Sequence, residues 1–211
     1  MENKIYEIQK DKIIVKDLSQ FNAEHILECG QIFSYKKIDE NYVVYSDDKC
    51  AKIRKNNKNI EIFTKNTQYF VNFFDLNTNY SKIKEELSSF DCLKEPINFG
   101  YGIRILNQNI FETIISFIVS ANNNIKRIQK ILFAIRAKYG KKIDDYYSFP
   151  MPAALAEATE KELLELGAGY RAKYITTTAK ILKDENLAQW QNLSTKDLKQ
   201  KLLSICGVGP K

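Results

Sequence analysis

The sequence predicts an α+β fold, with an antiparallel sheet domain that includes helices in residues 1–98 and an all-α domain in residues 99–211. In the first half of the chain, short alternating or β-branched runs are separated by turn residues, as in small antiparallel sheets. In the second half, long apolar patterns with a helical period are separated by short breakers. Pro96 lies near this change of character and marks the predicted domain boundary.

Five runs predict the strands, and the short spacing between them favours hairpins over crossover helices. Turn signals such as Asp39-Glu40-Asn41 and Asn56-Asn57 separate the runs. The apolar period then becomes helical, so two helices should pack on the sheet or lead onward from it. The predicted strands cover residues 13–15, 32–38, 42–46, 50–54 and 60–64, and the two helices cover 67–76 and 79–90.

The second half predicts a bundle of helices around one central helix. The segment 107–121 is apolar nearly all round, so we expect it at the centre of the domain. Thr159 and Glu162 have the spacing of a capping box that begins a short helix, and Gly167 should end that helix. Further helices are predicted over residues 123–140, about 170–184 and about 195–205.

Composition indicates a folded globular protein with 44% hydrophobic and 27% charged residues. The amino-terminal residues do not form a secretory signal, and no apolar run is long enough to span a bilayer. We therefore expect an intracellular, cytoplasmic protein with no membrane partner. If the source is bacterial, we expect it to be associated with the nucleoid. The four cysteines lie too far apart for a zinc or iron–sulfur site, so we expect no metal and no cofactor. The single histidine, His25, receives no catalytic role.

The formal net charge of +6 permits a polyanionic partner. The alternative is a lysine-rich and asparagine-rich solvated surface, and composition does not separate the two. The segment LLSICGVGPK at 202–211 is more informative, because a predicted helix runs into a tight glycine turn. Gly207, Val208 and Gly209 can expose backbone N–H groups to a phosphate, although an ordinary helix cap and turn has the same pattern.

This segment resembles the helix-hairpin-helix motif of the DNA glycosylase superfamily. Three further segments resemble signatures of the 8-oxoguanine DNA glycosylase family: FNAEHILECGQIFSY at 21–35, ISFIVSANNNIKRI at 115–128 and LGAGYRAKY at 166–174. The four segments follow the family's order and cover nearly the whole chain. The resemblance implies that the amino-terminal sheet domain is TATA-binding-protein-like and that the second half is a helical glycosylase domain.

The resemblance also implies roles for Lys211 and Gly30. Lys211 follows the Gly-Val-Gly turn, where the family's lysine attacks the sugar and forms a Schiff base. Gly30 matches the glycine whose carbonyl accepts a hydrogen bond from the N7–H that 8-oxoguanine has and guanine lacks. Without its neighbours, Gly30 would be interpreted as a turn glycine near the start of a strand.

Four residues match positions that contact the base opposite the lesion. By resemblance, Asn122 enters the space that the extruded base leaves, and Arg127 hydrogen-bonds the orphaned cytosine. Tyr170 is inserted beside that base, and Arg171 also binds the cytosine. The structural alternatives are caps and turns for the asparagines, an aromatic ring packed on a neighbour and a surface cation.

The whole set predicts a monomeric base-excision enzyme that removes 8-oxoguanine opposite cytosine in double-stranded DNA and has abasic-site lyase activity. A glycosylase for another damaged base and a non-catalytic DNA-binding module remain the alternatives. The family pattern also requires an aspartate after the lysine, in a Val-Asp-Val-like segment, but the printed sequence ends at Lys211. We therefore expect the 211 residues to be part of a longer protein and to have little or no activity alone.

Overall fold

The computed structural model describes residues 4–209, which form two compact units. The first unit contains the chain up to Tyr45 together with Lys49–Gln108. The second unit contains Ser46–Asp48 and the chain from Asn109 onward. Among the described residues, no helix is long and apolar enough to cross a membrane.

The first unit contains a six-stranded sheet with the strand order β1-β2-β6-β5-β4-β3 within residues 4–209. Neighbouring strands run antiparallel in each pair whose register is defined, as the sequence predicts. Asp39, Asp47 and Asn57 have φ values near +54° at three of the hairpin turns, a conformation that Asp and Asn tolerate better than most residues. The strands are β1 Tyr6–Gln9, β2 Lys12–Val15, β3 Tyr35–Ile38, β4 Asn41–Ser46, β5 Lys49–Asn56 and β6 Asn59–Phe63.

One face of this sheet forms the core of the first unit. Alternate strand residues such as Ile13 and Ile62 are fully buried there, as the period of two along a strand requires. Helices α1, Ala23–Leu27, and α2, Thr67–Phe73, also bury side chains in this core. Each large apolar side chain buried in this way contributes about 1.5–3 kcal/mol.

Two further helices complete the first unit: α3, Tyr80–Leu87, and α4, Asp91–Phe99. The sequence predicts α3 through its capping residue Asn79, whose side chain accepts from the Lys82 N–H. It does not predict β1, α1 or α4. Pro96 lies inside α4, so this helix forgoes one backbone hydrogen bond where the sequence pattern indicates a break.

Arg104 connects several loops of the first unit from within. Its side chain is fully buried, and its guanidinium donates to the carbonyls of Gln20, Phe74, Asp75 and Thr78 at 2.6–2.9 Å. Burial lowers the pKa of Arg104 from its usual value. A buried cation requires polar partners, and the four carbonyls provide them. In return, the guanidinium donates to loop carbonyls that are not paired within the sheet.

Replacing Arg104 with methionine should destabilise the protein by about 3–5 kcal/mol, because four carbonyls lose their donor. Urea denaturation followed by circular dichroism measures the change. Arg54→Met is the control, since Arg54 pairs with Glu61 from a position that is 56% exposed, and it should cost less than about 1 kcal/mol. Equal losses in the two variants would contradict this assignment.

Glu61 lies on β6 between two cations. Its carboxylate pairs with Lys12 at 2.9 Å and with Arg54 at 2.6 Å, while its own side chain is 8% exposed. Hydrogen bonds from Arg54 and Lys12 lower the pKa of Glu61 from 4.5 to about 2. A carboxyl whose pKa is lower in the folded state stabilises the protein at pH above its ordinary pKa and loses that contribution as the pH falls through the folded value.

Glu61→Gln should therefore lower the free energy of unfolding at pH 7, and the difference from the wild type should shrink as the pH falls from 4.5 toward 2. Denaturation curves of both proteins at pH 7, 5, 4 and 3 measure that difference. A difference that stays constant over the whole series would show that the ion pairs are not its source.

The second unit is mainly helical, as predicted, and α5 lies at its centre with most of its residues buried. The predicted capping box at Thr159 and Glu162 is confirmed, with both reciprocal hydrogen bonds formed. A short hairpin that the sequence does not predict, β7 Lys142–Ile143 and β8 Tyr146–Tyr147, follows α6. The helices are α5 Ile110–Ser120, α6 Ile125–Tyr139, α7 Pro152–Ala156, α8 Glu160–Glu165, α9 Arg171–Leu182 and α10 Thr195–Leu203.

Arg136 and Glu112 form a buried ion pair between α6 and α5, with side chains 2% and 8% exposed. Glu112 also accepts from the Asp47 N–H at 2.8 Å, and Arg136 donates to the carbonyls of Asp47 and Tyr147. The additional hydrogen bonds offset the cost of removing two charges from water. This pair fixes α5 and α6 against each other and therefore fixes the turn that joins them.

Candidate nucleic-acid interface

The turn between α5 and α6 carries the asparagine triplet. Asn122 is exposed and has φ +49°, a left-handed conformation that asparagine adopts more readily than most residues. Asn124 is the N-cap of α6 and accepts from the Arg127 N–H at 3.0 Å. Asn123 donates to the Val119 carbonyl at 3.0 Å. The capping alternative therefore holds for Asn124, while the Asn122 side chain projects from an exposed position.

Arg171, at the start of α9, holds this turn. Its side chain is nearly fully buried, and its guanidinium donates to the carbonyl of Ala121 through two nitrogens. The same group donates to the carbonyls of Asn122 at 2.9 Å and Ala168 at 3.4 Å. Four hydrogen bonds occupy most of the five N–H groups of an arginine, so in this conformation Arg171 supports the backbone of the predicted interface.

Tyr170 and Arg127 both adjoin the same turn. The Tyr170 ring is 57% exposed and lies 4.4 Å from the Arg171 guanidinium, which stacks on its face. Arg127 is exposed, and its guanidinium has a long 3.4 Å hydrogen bond to the Gly167 carbonyl. The structure thus brings Asn122, Arg127, Tyr170 and Arg171 together around one turn, although they are up to 49 residues apart in sequence.

The glycine turn after α10 contacts the face of α9 that carries Tyr174 and Thr178. Gly207 has φ +91°, and a Cβ built on it would lie 3.0 Å from the Tyr174 side chain. The Cys206 carbonyl accepts from Thr178 at 3.3 Å, and the Val208 N–H donates to the Ile205 carbonyl at 3.1 Å. Gly207, Val208 and Gly209 thus form a tight turn anchored on α9. Lys211 lies outside the described residues.

Tyr174 is the residue that sequence reasoning missed here. Its ring meets the Tyr170 ring edge to face, with centroids 6.0 Å apart, and its Cβ and ring pack against Gly207. One side chain therefore links the exposed tyrosine to the glycine turn. The signal is present in the sequence, because residues four apart on a helix lie on the same face.

Gly207→Ala should destabilise the protein by about 1–2 kcal/mol, since alanine is strained at this φ and would crowd Tyr174. Gly209→Ala is the matched control, because a Cβ at that position meets no atom within 4 Å and no positive φ is required. Chemical denaturation without DNA measures both. The assignment of the turn fails if the two alanines cost the same.

Gly30 belongs to the first unit, in the bend between α1 and β3. It has φ +88°, and a Cβ there would meet nothing within 4 Å, so the backbone conformation rather than crowding requires glycine. The next residue, Gln31, is fixed by hydrogen bonds from its side chain to the segment 104–106. The bend that carries Gly30 is therefore braced within the first unit.

Two family models match the chain in succession. The first, described as the N-terminal domain of 8-oxoguanine DNA glycosylase, matches residues 13–114. The second, described as an HhH-GPD superfamily base excision DNA repair protein, matches residues 115–206. The two matches together run from residue 13 to residue 206, and the second assigns most of the helical unit to the HhH-GPD superfamily.

Solved structures give the more particular assignment. The chain is 36% identical to the apo form of Clostridium acetobutylicum 8-oxoguanine glycosylase/lyase, with a TM-score of 0.90. The match covers 100% of this chain and 78% of the Clostridium chain. A complex of that glycosylase with double-stranded DNA containing cytosine opposite 8-oxoG gives 35% identity and a TM-score of 0.90, over 100% of this chain and 76% of that one. The chain belongs to the 8-oxoguanine DNA glycosylase family.

A curated relative agrees with this assignment. The N-glycosylase/DNA lyase of Saccharomyces cerevisiae is 42% identical in a 128-residue alignment that covers 52% of this chain and 34% of the yeast protein. The chain thus matches about a third of the length of this relative.

Proposed function

We propose that this protein is a bifunctional N-glycosylase and abasic-site lyase that removes 8-oxoguanine opposite cytosine from double-stranded DNA. The observation that carries the proposal is the cluster of Asn122, Arg127, Tyr170 and Arg171 around one braced turn. The family membership of the chain and the name of the yeast relative, N-glycosylase/DNA lyase, support the same activity.

The cluster has the chemistry needed to replace a base that has left the helix. Enzymes that act on a base inside a duplex extrude it and must compensate for lost stacking and pairing. The exposed ring of Tyr170 can be inserted beside the orphaned base, and Asn122 can fill the vacated space. Arg127 offers guanidinium donors to the acceptors of cytosine, and Arg171 is proposed to join it when DNA is bound.

Gly30 supplies the proposed discrimination between the lesion and the normal base. Its carbonyl is an acceptor for the N7–H of 8-oxoguanine, whereas guanine would oppose it with a lone pair. A buried acceptor that meets no donor costs on the order of 1–3 kcal/mol. A single backbone oxygen can therefore favour the lesion.

Lys211 is the proposed nucleophile. Its unprotonated amine attacks C1′, the N-glycosidic bond breaks with its electron pair on the departing base, and loss of the amine proton with opening of the sugar ring gives a Schiff base. Removal of a C2′ proton then expels the 3′ phosphate by β-elimination. The turn formed by Gly207, Val208 and Gly209 is proposed to bind a phosphate of the same strand through its backbone N–H groups.

Borohydride trapping tests substrate and nucleophile together. The longest protein that the gene encodes should form a covalent adduct with a duplex containing 8-oxoguanine opposite cytosine, and Lys211→Gln should abolish the adduct, because no amine is left to form the Schiff base. Gel electrophoresis of the reduced complex gives the yield.

Duplexes with guanine, and with the lesion opposite adenine, are the controls and should give little adduct. Trapping on another damaged base but not on 8-oxoguanine would assign a different glycosylase. Binding without any adduct would indicate a non-catalytic DNA-binding module.

A further inference from the structure

Two glutamine side chains hold the bend that carries Gly30. The side-chain amide of Gln31 donates to the carbonyls of Ile26 and Arg104, both at 2.9 Å, and accepts from the Leu106 N–H at 3.0 Å. Both amide N–H groups are therefore used. The Gln108 side chain donates to the Gln31 main-chain carbonyl at 2.6 Å.

These hydrogen bonds connect the bend to a rigid part of the first unit. Residues 101–107 alternate between exposed and buried positions, which is typical of extended backbone. Arg104 fixes this segment, because its guanidinium binds the carbonyls of Gln20, Phe74, Asp75 and Thr78. The hydrogen bonds of Gln31 with Arg104, Leu106 and Gln108 therefore hold the residue that follows Gly30 against this rigid segment.

Gly30 requires such external support. A glycine at φ +88° has no Cβ to limit rotation about its ψ angle, so the peptide group between Gly30 and Gln31 is intrinsically soft. Within residues 4–209, no hydrogen bond to the Gly30 carbonyl holds that peptide group. The orientation of the carbonyl therefore depends on the hydrogen bonds made by the Gln31 side chain and main-chain carbonyl.

We propose that Gln31 and Gln108 are positioning residues that orient the Gly30 carbonyl toward an N7–H and so set the preference for an oxidised purine over guanine. The inference rests on the proposed function. It assigns the discrimination to a braced peptide group, in which the glycine carbonyl is the contact and the two glutamines determine its direction. A carbonyl free to rotate would accept from 8-oxoguanine in some orientations and would turn away from the guanine lone pair in others, which lowers the discrimination.

The test compares Gln108→Glu with Asn107→Asp in the full-length protein. Gln108→Glu replaces a donor with a carboxylate that faces the Gln31 carbonyl. Asn107→Asp makes the same chemical change one residue away, where the amide donates to the Asn72 carbonyl at 2.8 Å. Each is made in the Lys211→Gln background, and fluorescence anisotropy gives Kd for duplexes with 8-oxoguanine or guanine opposite cytosine.

Gln108→Glu should lower the ratio of the Kd for the guanine duplex to the Kd for the 8-oxoguanine duplex by about fivefold or more. Asn107→Asp should leave this ratio unchanged. Gln108→Met removes the donor without adding charge, and it should lower the ratio in the same direction if Gln108→Glu does not fold. A folded Gln108 variant with an unchanged ratio, or with equal weakening on both duplexes, overturns the inference. A Lys211→Gln parent that binds both duplexes equally contradicts the proposed function itself, and the inference falls with it.

Discussion

The backbone of the α5–α6 turn depends on one guanidinium. Helix α5 ends at Ser120 and α6 begins at Ile125, so the residues between them leave carbonyls that no helix can pair. Arg171 donates to two of these carbonyls from the start of α9. Since the turn also presents Asn122 and adjoins Tyr170 and Arg127, the geometry of the whole cluster is set by this buried cation.

The same arrangement recurs elsewhere in the chain. Within residues 4–209, the buried arginines are Arg104, Arg136 and Arg171, and each donates to at least one backbone carbonyl of a loop or turn. Arg136 has Glu112 as its counter-ion, whereas Arg104 is surrounded by carbonyls and lies over the Tyr80 ring at 4.1 Å. A planar group with five donors suits this task, because irregular backbone offers several acceptors in different directions.

Much of the fold could be predicted from local patterns. The strands from β2 to β6 and the long helices have clear periodicity, and Asn79, Thr159 and Ser194 are typical N-caps. Helix α4 could not be predicted, because Pro96 indicates a break that the helix in fact accommodates. Strand β1 was missed because Tyr6–Gln9 contains two polar residues and is defined chiefly by its pairing with β2.

The candidate site divides in the same way. Motif matches identify residues such as Gly30 and Arg127, but not the residues that support them. Gln31 and Tyr174 lie within matched segments and Gln108 does not, but the match gives none of them a role. Their contacts with the bend after α1 and with Gly207 are seen only in three dimensions. Similarly, the sequence marks Arg171 as a DNA contact, whereas its hydrogen bonds in the free protein are to carbonyls of its own chain.

The amide of Gln31 also covers part of an extended backbone edge. It occupies the Leu106 N–H and the Arg104 carbonyl, which are backbone groups that an added β-strand would use. The segment is extended and carries exposed apolar side chains, Ile103 and Ile105. A segment of this kind can pair with another chain when its backbone groups are unpaired. Because the Gln31 amide already pairs with these two backbone groups, they are not available to a strand from another chain.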